Sequence, residues 1–256
     1  MSSSRELTLI EHLGELRRRV FICLTALIVG AVVAFYFWTE LLELLKWPAQ
    51  DLINRGVVTP IVTQVTERLS TAVKISMVGG FVLALPVILY QVVRFVAPGL
   101  MPGERRYLFL FMPGALLAFF CGLAFAYFVL TPRAIPFLLT FGGDVAQTQI
   151  RISNLVDVML RLLLWMGLAF ETPVLMYLLA QLGIVSSRMF SRFRKYWVVI
   201  AFILGAIITP TFDPLNQTLV AAPLLALYEI GIFLAWLAGR ARQREGNEIA
   251  SLPEGQ

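Results

Sequence analysis

Long apolar runs, separated by short polar or charged segments, dominate this chain from residue 20 onward. A helix needs roughly 20 apolar residues to cross a lipid bilayer. Six segments are candidates for such spans, because Pro, Gly or charged clusters separate them. The pattern therefore predicts an all-α polytopic membrane protein with six transmembrane helices. The predicted spans are residues 20–42, 75–96, 107–130, 155–182, 197–208 and 217–237.

Proline marks the ends of two predicted spans. Pro132 and Pro136 are expected to end the third span, and Pro210 follows the fifth. The fifth and sixth spans are predicted to be short. The fifth extends only roughly 18 Å as a helix, against a hydrocarbon core of roughly 30 Å. It is therefore either a re-entrant or interfacial segment, or a crossing of a locally thinned bilayer.

The positions of Lys and Arg favour a crossing. If all six segments span, most cations fall on the side of the two termini, and the loop between spans five and six carries none. By the positive-inside rule both termini are cytoplasmic (N-in/C-in), in the cytoplasmic or inner membrane. The cations on that side are Arg5, Arg17, Arg18, Arg19, Arg94, Arg105, Arg106, Arg188, Arg192, Arg194, Lys195, Arg240, Arg242 and Arg244.

Composition agrees with a membrane protein and excludes several function classes. Hydrophobic residues make up 59% of the chain and charged residues 14%, and the mean hydropathy is +0.80. The net charge of +5 does not by itself indicate nucleic-acid binding, because most Lys and Arg residues lie in the segments between the apolar runs. One His and two Cys supply neither a metal set nor a disulfide framework. No cofactor or metal is expected, and the absence of a nucleophile–base motif argues against an enzyme.

The chain is predicted to fold as one unit. Residues 1–239 form the six-span membrane domain, and residues 240–256 form a charged, disordered cytoplasmic tail.

Glu171 is an ionisable residue in the middle of a predicted span. It lies in the fourth span, in the segment GLAFETP at 167–173. Intramembrane ionisable groups are functional candidates, and Pro173 removes a helix hydrogen bond nearby. The carboxyl group therefore binds a polar ligand or a proton, or it caps loose backbone groups.

Three further polar sites have both structural and functional interpretations. Glu229 lies in the sixth span, facing the bundle in a structural role or serving a function. Asp157 and Arg161, four residues apart, are expected to pair along one helix face.

Thr209, Asp213, Asn216 and Gln217 gather at the outer end of spans five and six. They indicate either a helix break with an N-cap or, through Thr209 and Gln217, hydrogen bonds to a partner's span.

Two carboxylates lie on the cytoplasmic side of this topology. Glu15 belongs to the segment HLGELRRR at 12–19, where apolar residues recur at helical spacing. It is expected to pair with Arg18 or Arg19. Glu104 lies in the tight loop between spans two and three. From composition and spacing alone, Glu15 and Glu104 are each interpreted as a solvated charge in a loop.

Four motifs in this order resemble the TatC family, the multispanning subunits of the twin-arginine translocase. The N-terminal HLGELRRR resembles the family's HLxELRxR motif, and PVILYQ (86–91) with RFVAPGL (94–100) and Glu104-Arg105 resembles its second span and first cytoplasmic loop. GLAFETP resembles its fourth-span GxAFExP motif, and the segment at 209–218 resembles its short outer loop. The resemblance covers nearly the whole chain.

The resemblance implies a core receptor for twin-arginine signal peptides of folded cargo. Such proteins assemble single-span TatA- and TatB-type partners for export driven by the proton-motive force. By motif, Glu15 and Glu104 would contact the twin arginines, with Arg17 in the same motif and Phe95 at the edge of the site. Self-association and membrane lipid are further expected contacts, and nucleic acid is not.

The resemblance also implies roles elsewhere. Glu171 would lie within the concave face of the bundle, Thr209 and Gln217 would contact a partner helix, and Asp213 would belong to the outer loop. One departure is Glu67-Arg68-Leu69, where many members carry Phe shortly after the Glu. The alternatives are a proton-coupled transporter using Glu171, an intramembrane enzyme, and a structural membrane scaffold.

Overall fold

The computed structural model describes residues 9–55, 58–97, 102–140, 148–209 and 214–250. Within these ranges the chain forms nine α-helices and two short strands. In chain order they are α1 (Leu9–Tyr36), α2 (Trp38–Lys46), a 3-10 turn (Trp47–Ala49), α3 (Gln50–Asn54), β1 (Val58–Ile61), α4 (Glu67–Val96), α5 (Pro102–Phe125), a π-helical turn (Ala126–Leu130), α6 (Thr131–Thr140), β2 (Thr148–Arg151), α7 (Ile152–Gln181), α8 (Ser187–Ile208) and α9 (Pro214–Ala250).

Five of the described segments are long and apolar enough to cross a membrane. They match predicted spans one to four and six, so the helical membrane fold is confirmed. The last of them has 24 residues, as many as the first, so the prediction of a short sixth span is wrong. The five segments are Leu13–Tyr36, Glu67–Phe95, Phe111–Leu138, Ile152–Gln181 and Gln217–Arg240.

Helix α8 does not meet the same criteria of length and composition. Its first half is cationic, with Arg192, Arg194 and Lys195 directly before the apolar stretch 197–208. The crossing by this helix stays a prediction. The predicted disorder of 240–256 also stays a prediction, although α9 is continuous to Ala250.

The third predicted span does not end at Pro132 or Pro136, because the helix continues to Thr140 through both. The π-helical turn precedes them, and the backbone N–H of Thr131 donates to the Ala126 carbonyl oxygen. The Thr131 hydroxyl donates to the same oxygen at 2.7 Å. A wider turn and a Thr hydroxyl are the adjustments that let proline occur inside a membrane helix. The sequence expectation failed because it treated proline as a helix end.

Helix α7 is the centre of the bundle. Its first half packs in a cluster of buried residues with Leu45, Ile75 and Ile135, which come from α2, α4 and α6. Its middle, through Leu162 and Met166, packs in a second cluster with residues of the π-helical turn, α8 and α9. One helix therefore touches both the early and the late parts of the chain.

Glycine sets the closest approach of two helix pairs. A Cβ atom at Gly80 of α4 would lie 2.4 Å from the backbone nitrogen of Ala31 in α1. A Cβ atom at Gly122 of α5 would lie 2.6 Å from the carbonyl oxygen of Met166 in α7. Small residues let helix backbones approach within lipid, where packing replaces the hydrophobic driving force. The α1–α4 and α5–α7 pairs depend on these two positions.

A two-stranded parallel sheet closes one end of the bundle and was not predicted. β1 pairs with β2, with Val58 opposite Thr148 and Ile61 opposite Arg151. Helix α7 begins directly after β2, and Glu67, the first residue of α4, follows β1 after a short turn. We call this the Glu67 end. The opposite end, where α1 begins and α4 finishes, is the Glu15 end.

We expect Gly80→Ala to weaken the α1–α4 pair, because its methyl group would overlap backbone atoms that cannot rotate away. Overpacking of this kind costs about 1–3 kcal/mol. The measurement is the thermal unfolding midpoint of the purified protein in detergent.

Gly114→Ala is the matched control, because a Cβ atom there meets nothing within 4 Å. It should leave the midpoint unchanged or raise it slightly. An unchanged midpoint for Gly80→Ala would contradict the proposed role of the glycine.

Candidate functional site

Glu15 is held in place by a hydrogen-bonded chain of three side chains at the Glu15 end. The Arg19 guanidinium forms an ion pair with Glu15, and its Nε lies 3.0 Å from Glu15 Oε1. The Nη1 atom of Arg19 donates to Gln91 Oε1 of α4 at 3.1 Å. Both Arg19 and Glu15 are partly buried. The sequence expectation of pairing with Arg18 or Arg19 is thus confirmed for Arg19.

Arg19 uses only one oxygen of the Glu15 carboxylate. Its Nε and Nη2 atoms both donate to Oε1. A carboxylate has two oxygens and about four lone-pair sites, so this pairing leaves Oε2 available to another donor. The link from Arg19 to Gln91 keeps that carboxylate beside the last turns of α4.

Two cation–π contacts lie on α1 and α4 at the same end of the bundle. The Arg17 guanidinium lies over the Phe21 ring, 5.7 Å from its centroid. Arg94 lies over the Tyr90 ring at the same distance. Phe95, in the last turn of α4, is half-buried. The structure therefore places Glu15, Arg17 and Phe95 at one end of the bundle.

Glu104 lies in the first turn of α5, and its side chain is outside the described atoms. The path from Ala97 to Pro102 spans at most roughly 18 Å, since each residue reaches at most about 3.6 Å. The start of α5, which contains Glu104, therefore lies within roughly 18 Å of the end of α4, at the end of the bundle where Arg19 links Glu15 to Gln91. Helices α1, α4 and α5 thus bring both predicted carboxylates to the Glu15 end.

Glu171 is buried in α7, with 9% of the residue exposed. Its Oε1 atom has no hydrogen-bond partner among the described residues. Pro173, also buried, lies inside the same helix. Burial of a carboxyl oxygen among apolar helices is costly. The site stays a functional candidate, because the described contacts give this oxygen no structural role.

Glu229 lies on the surface of the bundle, exposed, and pairs with Arg194 of α8 at 2.8 Å. It therefore does not face the bundle interior, as one of its two sequence interpretations required. The pair joins α8 to α9 near the Glu15 end.

The predicted pair of Asp157 and Arg161 is wrong. Both carboxylate oxygens of Asp157 accept from Lys74 Nζ at 2.8 Å instead. Lys74 belongs to α4, so this ion pair joins two helices where the prediction placed it within one. Helix periodicity alone could not reveal a partner on another helix.

Glu67 has a structural role that the sequence did not reveal. It is buried, with 6% exposure, and its Oε2 accepts from the backbone N–H of Thr63 at 2.8 Å. Its Oε1 accepts from the Ser153 hydroxyl at 2.8 Å and the Ser153 backbone N–H at 3.3 Å. One carboxylate therefore ties the start of α4 to the start of α7. Its position ahead of an apolar run was the only sequence signal.

Thr209 and Gln217 make contacts within the chain. The Thr209 hydroxyl donates to the Gly205 carbonyl oxygen at 2.8 Å, and Gln217 Nε2 donates to the Phe202 carbonyl oxygen at 2.7 Å. Gln217 also borders an open apolar groove of about 690 Å³ along α8. Asp213 lies outside the described residues.

No group of three or more His, Cys, Asp or Glu side chains that could hold a metal ion occurs in the part of the chain that the structure describes. Cys23 and Cys121 are free thiols.

Residues 11–223 match the family profile described as "Sec-independent protein translocase protein (TatC)". The curated protein of that name from Aquifex aeolicus is 41% identical over 237 residues, which cover 92% of this chain and 97% of the relative. The one from Escherichia coli K12 is 37% identical over 238 residues, covering 93% of this chain and 92% of the relative.

Solved structures agree with these relatives. A chain described as "Crystal Structure of Twin Arginine Translocase Receptor- TatC" superposes with a TM-score of 0.80 at 41% identity. The match covers 89% of this chain and 99% of that chain.

We expect Glu67→Ala to destabilise the protein, because it removes the carboxylate that accepts from Thr63 and Ser153 and joins α4 to α7. Hydrogen bonds to a charged group contribute about 1.5–3 kcal/mol. Thermal unfolding in detergent measures the loss.

The control is Glu43→Ala, which removes an exposed carboxylate from α2 and should shift the midpoint little. Equal midpoints for the two variants would show that the Glu67 hydrogen bonds contribute nothing to stability.

Proposed function

Because this chain belongs to the TatC family of Sec-independent protein translocase proteins, we propose that it is a receptor for twin-arginine signal peptides on folded cargo. Its membrane-protein character and its place in this protein-translocation pathway follow from the family. The observation that carries the proposal is the Glu15 carboxylate, fixed by Arg19 through Oε1 with its second oxygen unused by that pair.

Two carboxylates at one end of the bundle suit a ligand with two adjacent arginines. Arginine presents a planar fork of donors that a carboxylate accepts through two parallel hydrogen bonds, whereas lysine is a point charge. Glu15 and Glu104 would each take one guanidinium group. Phe95 would lie at the edge of the site, and Arg17 would sit beside it in the same motif.

The carboxylates set specificity more than affinity. An exposed ion pair contributes only about 0–1 kcal/mol, whereas micromolar binding needs about −8 kcal/mol. The apolar region of the signal peptide therefore supplies most of the binding free energy, along the apolar surfaces of the bundle.

We propose that α8 crosses the membrane and that both termini are cytoplasmic. Contacts between α8 and α9 support the crossing: Arg194 pairs with Glu229, while Phe202 accepts from Gln217. These two contacts run in opposite directions along the helices, so α8 is antiparallel to α9, which is long enough to span. The short apolar stretch of α8 then requires a locally thinned bilayer.

Single-span TatA- and TatB-type subunits are the proposed partners. The groove along α8 exposes Val199, Ile203 and Ile207 to the lipid, and Gln217 lies at its border. A partner's span would fill this groove, with Gln217 as its polar neighbour; Thr209 is buried and does not line the groove. Glu171 is a second intramembrane polar site, for a proton or for a polar group of a partner during transport driven by the proton-motive force.

The central test is binding of a twin-arginine signal peptide and its twin-lysine version to the purified protein in nanodiscs. We expect the arginine peptide to bind about tenfold more tightly, a difference of about 1.4 kcal/mol. Glu15→Gln and Glu104→Gln should each remove the preference, because the amide cannot accept two charge-assisted bonds. Glu43→Gln, on α2, should keep it.

Equal binding of the two peptides, with or without added partner subunits, would overturn the receptor assignment. A peptide with a shortened apolar region should lose affinity but keep the arginine preference. Unchanged affinity of that peptide would contradict the division between specificity and affinity.

The proposed topology predicts that Asp213→Cys reacts with a membrane-impermeant thiol reagent added outside intact cells. The variant is made with Cys23 and Cys121 replaced, so that only one thiol is present. Ser186→Cys, at the start of α8, should react only after the membrane is opened. Equal reactivity of the two thiols from outside would exclude a crossing by α8.

A further inference from the structure

A basic pocket of about 380 Å³ lies between α8 and α9, near the Glu15 end. Two arginines, Arg188 and Arg194, line it from α8, together with the hydroxyl groups of Ser187 and Ser191. Neither the receptor site nor the partner groove uses these residues. The pocket therefore has no role in the function proposed above.

The pocket carries a net positive charge. Its one carboxylate, Glu229, is already paired with Arg194 at 2.8 Å. Arg188 is exposed and has no carboxylate partner among the residues that the structure describes. Arg240 lies beside the pocket wall, with its guanidinium 4.0 Å from the centroid of the Trp236 ring. An anion could pair with Arg188 without breaking the pair between Arg194 and Glu229.

The other wall of the pocket is apolar and aromatic. Phe233 and Trp236 of α9 line it, and their rings stack with centroids 6.0 Å apart. Tryptophan is enriched at the level of lipid headgroups, where one side of the ring is apolar and the other is wet. The pocket therefore combines donors for an anion with a surface for the first carbons of an acyl chain.

We propose that this pocket binds the phosphate group of an anionic phospholipid. Arginine pairs with phosphate through charge-assisted, often bidentate hydrogen bonds, and basic pockets between membrane helices are suited to anionic headgroups. The source is a membrane lipid and not free phosphate, because an apolar exposed surface continues from the pocket. This surface starts at Phe233 and Trp236 of α9, which line the pocket and are both exposed. The proposal needs only a chain embedded in lipid, and it does not depend on signal-peptide binding.

The test is a titration of the delipidated full-length protein, in neutral detergent, followed by native mass spectrometry. The two lipids are phosphatidylglycerol and phosphatidylcholine with identical acyl chains. We expect the first bound lipid to be phosphatidylglycerol, with an affinity about tenfold higher than that of phosphatidylcholine. Arg188→Gln should remove this preference.

Arg192→Gln is the matched control. It removes the same charge from the same part of α8 but does not line the pocket, so the preference should remain. Ser191→Trp fills the pocket without changing its charge and should abolish the preference as Arg188→Gln does. This second variant separates a shaped site from a general positive surface.

Three results would overturn the proposal. They are equal binding of the two lipids by the unmodified protein, an equal loss in Arg192→Gln and Arg188→Gln, and displacement of the lipid by millimolar inorganic phosphate. Signal-peptide binding is measured on the same preparations. If the unmodified protein prefers phosphatidylglycerol but binds the twin-arginine and twin-lysine peptides equally, the result counts against the receptor function alone.

Discussion

A chain within lipid must satisfy its polar groups from its own atoms, because the hydrocarbon core holds no water to replace a missing partner. The spanning segments accordingly are helices, and their irregular points are repaired locally. At the π-helical turn before Pro132, one carbonyl oxygen accepts from both the backbone and the side chain of Thr131. Two ion pairs of the described bundle, Lys74 with Asp157 and Arg194 with Glu229, join different helices. Three buried side-chain oxygens have no hydrogen-bond partner among the described residues, and Glu171 Oε1 is the one that belongs to an ionisable group.

The two ends of the bundle use carboxylates in opposite ways. Glu67 is saturated by donors from its own chain, which makes it a structural joint between α4 and α7. Glu15 meets one arginine through one oxygen, which positions it and leaves acceptor capacity. A carboxylate therefore joins two helices at the Glu67 end, and at the Glu15 end a carboxylate keeps one oxygen that Arg19 does not use. Burial and the number of donors around each carboxylate, and not residue type, decide which role it has.

The sequence predicts features that arise within a single helix, such as its apolar length and the ion pairs along it. Five spans, the amphipathic approach to α1 and the pairing of Glu15 with Arg19 all follow from periodicity and local spacing. The sequence could not predict what depends on which helices become neighbours. Asp157 pairs with Lys74, Glu67 bonds to Ser153, and β1 pairs with β2 although about 90 residues separate the two strands. The helix end predicted at Pro132 was wrong because the hydrogen bonds from Thr131 to the Ala126 carbonyl oxygen depend on the backbone geometry of the π-helical turn, which the sequence pattern does not show.

The parallel pairing of β1 with β2 also fixes an order of events during biogenesis. Val58 meets Thr148, a partner about 90 residues later in the chain. At 5–20 residues per second, ribosomes need roughly 5–20 s to make that interval. During this delay the first strand has emerged with an unpaired edge, while α4, α5 and α6 are still being inserted. The Glu67 end is thus sealed only after α4, α5 and α6 are made.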